Sequence, residues 1–280
     1  MTVAPRVSII LPTYNERDNI ESLILSILRQ DLNVLEVIVV DDDSPDGTST
    51  LVKRISLSIP GVRLISRKNK RGLGSAVAEG VSAASGEIIA WMDCDFSHPV
   101  ELLRTLVDAL DGTDIALASR FIRGGGSNGS LGRKIASLGA SLASRLLLGR
   151  EFKDYTSGYI AVKKHVLLKV PIVSAGLLDR RLGYGDYFFA FLYLAKKAGF
   201  YAREVPYVYA DRERGSSKVV SSFFDVFLHA ASYLMSMTRV RLGRFEALTC
   251  ISDGSMPHSN DLLPTPYTPN SRFLSHESRG

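Results

Sequence analysis

The apolar run Ile88-Ile89-Ala90-Trp91-Met92 ends abruptly in Asp93-Cys94-Asp95, two carboxylates one residue apart. The run reads as a strand. Two acids discharged at its carboxyl end offer hard oxygen ligands for Mg²⁺ or Mn²⁺, metals commonly bridged to phosphates. A plainer reading stays open beside this one. Asp93 and Asp95 can be solvated turn residues leading into a helix that Pro99 helps to start.

The chain before this point repeats the pattern. Val7 to Leu11 reads as a short buried strand, broken at its carboxyl end by Pro12-Thr13-Tyr14-Asn15-Glu16. Ile20, Leu23, Ile24, Ile27 and Leu28 then recur at helical spacing. Leu35 to Val40 forms a second apolar strand ending in Asp41, Asp42 and Asp43, followed by Ser44-Pro45-Asp46-Gly47-Thr48. Strand, helix, strand with polar residues at the strand carboxyl ends is a βαβ arrangement, and ligands of open α/β sheets collect outside those ends. A shorter strand over Val62 to Ile65 leads into Asn69-Lys70-Arg71-Gly72-Leu73-Gly74, a basic loop opening a small-residue helix. A phosphate or sugar can lie at such a loop, although simple turn glycines explain it equally well. The string is neither a P-loop nor a dinucleotide fingerprint.

After the acid pair, Leu102 to Leu110 has helical periodicity, and Ile115 to Ala118 reads as a strand ending in Ser119-Arg120. Gly124 to Ser130 is either a lid or a plain connector. A helix with Arg133 and Ser137 near its start runs to Leu148, and a strand is expected over Tyr159 to Val162. Asp186 precedes an apolar helix from Tyr187 to about Ala198, where it serves as an N-cap or as a catalytic base. The stretch from Tyr201 to Tyr209 alternates as a strand, and Arg212-Glu213-Arg214-Gly215-Ser216-Ser217-Lys218 follows it.

From Val220 an apolar stripe through Phe223, Phe224, Phe227, Leu228, Leu234 and Met235 predicts an amphipathic helix over 220–247. Packing on the domain, a membrane interface and docking on a membrane subunit are all open to it. Residues 248–280 are poor in apolar periodicity and are expected to be a disordered tail behind a catalytic domain over 1–219.

Composition bounds the partners. The 280 residues carry 45% apolar side chains and a net charge of +5, which suits a folded domain with an anionic partner. Nucleic acid is not that partner, because no basic-aromatic module is recognisable. Two cysteines, Cys94 and Cys250, form neither a disulfide framework nor a four-ligand zinc site. The amino terminus lacks the apolar segment of a signal peptide, and no apolar stretch reaches bilayer-spanning length.

Four strings in this order, Pro12 to Glu16, the acids around Asp42 with Ser44 to Thr48, Asp93-Cys94-Asp95 with His98, Pro99 and Glu101, and Arg212 to Lys218, resemble the family-2 glycosyltransferases, specifically the dolichyl-phosphate (polyprenyl-phosphate) mannose synthases. The resemblance covers about residues 6–240. It implies a GT-A fold, an α/β Rossmann-like, mostly parallel sheet flanked by helices. It also implies inverting transfer of mannose from GDP-mannose to dolichyl phosphate, dependent on Mg²⁺ or Mn²⁺. By the same resemblance Pro12, Tyr14, Glu16, Val40 and Asp42 hold the nucleoside, with Asp93, Cys94 and Asp95 matching the D-A-D signature that handles metal and donor. Ser97 stands where some relatives carry a Gln ligand to the metal. Arg120, Arg133, Ser137, Arg212 and Lys218 match contacts to the diphosphate or the lipid phosphate, and Asp93, Asp95, Arg212 and Lys218 form the expected catalytic set. Cys94 in place of Ala reads as packing.

Two other readings use the same residues. One is a polyprenyl-phosphate glucosyl- or other hexosyltransferase drawing on a UDP-sugar. The other is a non-catalytic, nucleotide-binding partner protein with a glycosyltransferase-like fold. With a lipid acceptor, two cysteines that form no disulfide framework and no spanning helix, the chain is expected peripherally on the cytoplasmic face of a membrane, reached through the 220–247 helix or a small membrane subunit.

Overall fold

The computed structural model describes residues 4–68, 72–129, 131–174, 185–210 and 223–247. The first half alternates strand and helix: β1 Val7–Thr13, α1 Arg17–Leu28, β2 Val34–Asp41, α2 Thr48–Ser58, β3 Val62–Ser66, α3 Leu73–Ala83, β4 Ile88–Trp91 and α4 Leu102–Asp108. The second half is less regular. It runs β5 Ile115–Ser119, β6 Gly126–Ser127, α5 Leu131–Leu148, β7 Ile160–Lys163, α6 Lys164–Leu167, β8 Val173–Ser174, α7 Asp186–Lys197, β9 Ala202–Pro206, β10 Val208–Tyr209, α8 Phe223–Arg241 and β11 Glu246–Ala247.

Seven strands form one sheet in the order β3-β2-β1-β4-β7-β5-β9. All neighbours are parallel except β7, which runs antiparallel to both β4 and β5. The chain winds outward from β1 through β2 to β3 and then returns to place β4 on the other side of β1. That reversal opens a crevice at the carboxyl ends of β1 and β4, the place where ligands bind in open α/β sheets.

The near-continuous apolar strands follow from burial on both faces. Ile10, Ile38, Val40, Ile89 and Trp91 point to one side, against α3, α7 and the end of α8. Ile9, Leu11, Val37, Val39 and Ala90 point to the other, against α1, α2 and α4. On α1 the fully buried residues are Ile20, Leu23, Ile24 and Ile27, each contributing about 1.5–3 kcal/mol by leaving water. The small residues of α3 allow an unusually close approach to the sheet. A Cβ at Gly80 would overlap Cγ2 of Ile10, and one at Gly74 would stand 2.9 Å from Cβ of Tyr187.

The expected strands and helices are found, with three main departures. Thr48–Ser58 is a helix that the sequence pattern had not singled out. The stretch Tyr201 to Tyr209 is not one strand: β9 joins the main sheet beside β5, and after Pro206 the chain leaves it so that β10 pairs with β6. Asp186 is the first residue of α7 rather than its cap, which is Gly185. There its charge suits the positive end of the helix dipole. For α8, packing on the domain was one of the readings left open, and its described part does pack into the core through Met237 and Val240, which are 0% and 1% exposed. Among the described residues no helix is long and apolar enough to cross a membrane.

Candidate active site

Parallel pairing sets Thr13 of β1 opposite Asp41 of β2 and puts Ile10 opposite Trp91 of β4, so the residues after all three strands leave the same edge. They line a cleft of about 280 Å³. Pro12, Thr13, Tyr14 and Glu16 form one wall, Asp42 with Leu73 and Ala76 another, and Asp93, Cys94 and Asp95 the floor. Because β7 is antiparallel, its amino end arrives at this same edge and adds Thr156, Ser157 and Gly158. Gly185, Tyr187, Phe188 and, from α8, Tyr233 close the remaining side.

Three neighbouring acids at the carboxyl end of β2 are given three different jobs. Asp41, 0% exposed, is a structural knot: Thr13 and Ser44 hydroxyls donate to its Oδ1 at 2.9 and 2.6 Å, and the Ser49 hydroxyl donates to Oδ2 at 2.6 Å. Asp43 is exposed in a left-handed turn with φ 57°. Only Asp42 faces the cleft. Its Oδ2 accepts the Gly72 N–H at 2.8 Å, and its Oδ1 lies 2.9 Å from Nη1 of the buried Arg67. Arg67 also pairs with Glu79 at 3.3 Å, tying the Asp42 side of the cleft to α3. Sequence reasoning missed Arg67; its one signal was a basic residue directly after an apolar strand.

The turn carrying the acid pair is tightly bent, with Phe96 at φ 60°, a conformation costly for a bulky side chain unless its surroundings enforce it. The bend lets Ser97 reach back, donating its N–H at 3.1 Å and its hydroxyl at 2.5 Å to Asp95 Oδ1. Ser97 is wholly buried and does not line the cleft, so its hydroxyl orients Asp95 instead of facing a metal. Asp93 stays about half exposed, and its main-chain N–H donates to Nδ1 of the buried His98 at 3.1 Å. Nε2 of His98 lies 3.1 Å from the Ser157 carbonyl. Cys94 is buried with Sγ donating to the Pro12 carbonyl at 3.4 Å, as a packing residue should.

The remaining expected site residues divide. Val40 is fully buried in β2, with its Cγ2 against Gly80, so its side chain belongs to the core and not to the cleft. Arg120 is spent on Asp154: Nε donates to Oδ2 and Nη2 to Oδ1, both at 2.8 Å, and Nη2 also donates to the Thr156 hydroxyl. Burial opposes its charge, but the Asp154 carboxylate outweighs that and raises its pKa. The guanidinium therefore braces the 156–158 wall through Nε and Nη2. Ser137 is half-buried on α5 and does not line the cleft. The side chain of Arg133, and Lys70, Arg71, Arg212 and Lys218 altogether, lie outside the described residues. Ala210, two positions before Arg212, donates its N–H to the Ser97 carbonyl at 3.4 Å, beside the acid turn. Asp186 is buried and is not among the described cleft-lining residues.

Among the described residues no group of three or more His, Cys, Asp or Glu gathers to hold a metal. A pair of cleft-facing carboxylates nevertheless fits Mg²⁺ or Mn²⁺, which keep waters and take one or two carboxylates plus substrate phosphates.

Comparison with known proteins agrees with this geometry. The chain is 39% identical over 222 residues to the dolichol-phosphate mannosyltransferase of Pyrococcus furiosus, covering 76% of this chain and 59% of that protein. The chain thus spans less than two thirds of the length of that relative. It is 37% identical over 229 residues to the polyprenol monophosphomannose synthase of Mycolicibacterium smegmatis, covering 79% of this chain and 84% of the relative. The fold is shared with glucosyl-3-phosphoglycerate synthase from Mycobacterium tuberculosis, solved in complex with Mn²⁺, UDP and glucosyl-3-phosphoglycerate. The TM-score is 0.60 at 22% identity, covering 85% of this chain and 80% of that one. The expected GT-A architecture is therefore the observed one. Residues 8–170, which contain the β1, β2 and β4 ends and their acids, match the family described as Glycosyl transferase family 2, and the chain belongs to that family.

Proposed function

We propose that this chain transfers mannose from GDP-mannose to the phosphate of a polyprenyl (dolichyl) phosphate, with inversion at the anomeric carbon. The carrying observation is the cleft itself, which joins Tyr14, Glu16 and Asp42 on one side to Asp93 and Asp95 on its floor. The names of its relatives, a dolichol-phosphate mannosyltransferase and a polyprenol monophosphomannose synthase, support the choice of sugar and acceptor.

In this reading the Tyr14 ring covers the base or ribose, and Glu16 and Asp42 accept its N–H or hydroxyl hydrogens. Asp93 and Asp95 would hold the divalent metal against the donor diphosphate. When bound, that metal stabilises the negative charge that builds on the leaving group. An oxygen of the acceptor phosphate attacks the anomeric carbon, the bond from that carbon to the β-phosphate oxygen breaks, and GDP departs with the electron pair. No protein base is required, because a phosphate monoester with a second pKa of about 6 is mostly dianionic near neutral pH. The buried position of Asp186 supports that economy. Arg212 and Lys218 are proposed to meet the acceptor phosphate or the leaving diphosphate, since the chain enters their segment from beside Ser97. A peripheral membrane location follows from a lipid acceptor.

The test offers GDP-mannose, UDP-glucose and GDP-glucose with a short-chain polyprenyl phosphate and Mg²⁺ or Mn²⁺, and identifies the lipid product. A β-linked mannosyl lipid formed from GDP-mannose alone is expected. An α-linked product defeats the single displacement, and a UDP-glucose preference moves the donor assignment.

A further inference from the structure

In the proposed reading two parts of the donor are already received by the cleft, the nucleoside by Tyr14, Glu16 and Asp42 and the diphosphate by Asp93 and Asp95. The sugar then falls to the side closed by Gly185, Tyr187, Phe188 and Tyr233. None of these four carries a charge. A phosphate calls for cations, whereas an aromatic wall with few, well-placed polar groups suits a neutral ring bearing hydroxyls. This side is also firmly built on helices. Tyr187 rests on α3, where a Cβ added at Gly74 would stand 2.9 Å from its own Cβ, and the Tyr233 ring packs on Phe189 with centroids 5.8 Å apart.

Tyr233 brings the polar group to this wall. Its hydroxyl stands over Gly185, where a Cβ built on the backbone would overlap Tyr233 Oη. The φ of Gly185, −147°, lies outside the left-handed region that favours glycine, so the tyrosine hydroxyl and not the backbone asks for the missing side chain. Among the described residues none hydrogen-bonds that hydroxyl. Burial, with the Asp186 charge, pushes the Tyr233 pKa up to about 12 against a pull from Arg120. The proton therefore stays in place, and the group both donates and accepts. Of its neighbours on the wall, Gly185 and Phe188 offer no side-chain donor, and Tyr187 is only 2% exposed, with Asp93 the leading charge on it.

We infer that Tyr233 hydrogen-bonds one hydroxyl of the sugar being transferred, which makes it a specificity-determining residue that α8 supplies to the cleft. The inference rests on the nucleotide-sugar reading of the cleft and goes beyond it in naming what selects the sugar. An apolar wall by itself discriminates poorly between sugars that differ at one hydroxyl. A phenol aimed at that hydroxyl discriminates well, because the analogue lacking it leaves the phenol unpaired in a partly buried place.

The test uses the full chain with Mn²⁺ and titration calorimetry of GDP, GDP-mannose and GDP-mannose deoxygenated at C2, C3, C4 or C6 in turn. Wild type is expected to bind one of the four analogues more weakly than GDP-mannose by roughly 2–10-fold on account of this contact. Tyr233→Phe, which keeps the ring, is expected to erase that one difference and to bind GDP as wild type does. Gly185→Ala, which drives the hydroxyl off its place but leaves it on the chain, is expected to blunt the same difference; matched thermal midpoints check the folding of both variants. Wild type that tells none of the analogues apart overturns the proposal. So does a Tyr233→Phe chain that discriminates among them as wild type does, or one that loses affinity evenly for all of them, the mark of a purely structural tyrosine. Wild type that binds UDP-glucose and not GDP-mannose defeats the donor assignment alone, and the same deoxy series built on UDP-glucose then decides the role of Tyr233.

Discussion

The imidazole of His98 accepts the main-chain N–H of Asp93 at Nδ1, 3.1 Å away, and holds the Ser157 carbonyl 3.1 Å from Nε2. One nitrogen accepting and the other donating requires the neutral ring. Burial lowers the His98 pKa from its ordinary 6.5, against an opposite pull from Asp93 and Asp95. The unfolded chain therefore binds the extra proton first, so this stabilisation is complete above pH 6.5 and is lost as pH falls towards the folded value. His98→Gln, which keeps one acceptor and one donor, is expected to flatten the acid side of the stability profile measured by urea unfolding. His98→Ala orphans two buried groups and is expected to cost about 1–3 kcal/mol for each. Identical acid limbs in wild type and the Gln variant would refute the neutral clamp.

Ser97 stands behind Asp95 rather than in the cleft. Removing its hydroxyl takes away the shorter of its two bonds to Oδ1 and leaves the main-chain N–H, which loosens the carboxylate proposed to hold the metal. We expect Ser97→Ala to weaken Mn²⁺ binding in the presence of GDP by about 10–100-fold, while Asp95→Asn removes it. Titration calorimetry distinguishes them, and an unaltered Ser97→Ala isotherm counts against this arrangement.

Arg120 and the fully buried Asp154 form a two-point ion pair. Removing one partner strands the other charge, a change that typically costs about 3–5 kcal/mol. Arg120→Ala is accordingly expected to lower unfolding free energy by that order. A cation that only binds phosphate behaves differently: its loss raises KM and leaves stability near wild type, and that outcome returns Arg120 to the binding site.

Gly80 lets α3 sit on β1 and β2, where an added Cβ meets Ile10 and, at 3.2 Å, Val40. Gly80→Ala gains helix propensity but overpacks a rigid sheet, and a net destabilisation of about 1–3 kcal/mol is expected. Equilibrium urea unfolding reads it directly; stabilisation would mean the helix shifts more easily than its packing suggests.

Much of the fold was legible because its signals are local. Periodicity 2 or 3.6 marks most strands and helices, and acids or turn residues mark where strands stop, so the ends of β2 and β4 were already marked as the edge of a cleft. Which of three adjacent acids faces the cleft was not readable from composition. Asp41 is consumed by Thr13, Ser44 and Ser49 because β1 and β2 end side by side, a consequence of register. The stripe over 220–247 left core packing, a membrane interface and a docking surface equally open, and only the folded chain shows Met237 and Val240 turned into the core. Periodicity reports that a helix has two faces; it does not say which one meets the core.

By itself the sequence determined the strand and helix pattern of the GT-A sheet, the family, and the acids at the ends of β2 and β4. Tertiary structure decided the rest. The antiparallel insertion of β7 brings Thr156 to Gly158 into the cleft. Arg67 is bound to Asp42 and Arg120 to Asp154, while His98 is set between Asp93 and Ser157. These are pairings between residues up to 59 positions apart. Nothing in local spacing encodes them, because they form only when the sheet has placed distant strand ends on one edge.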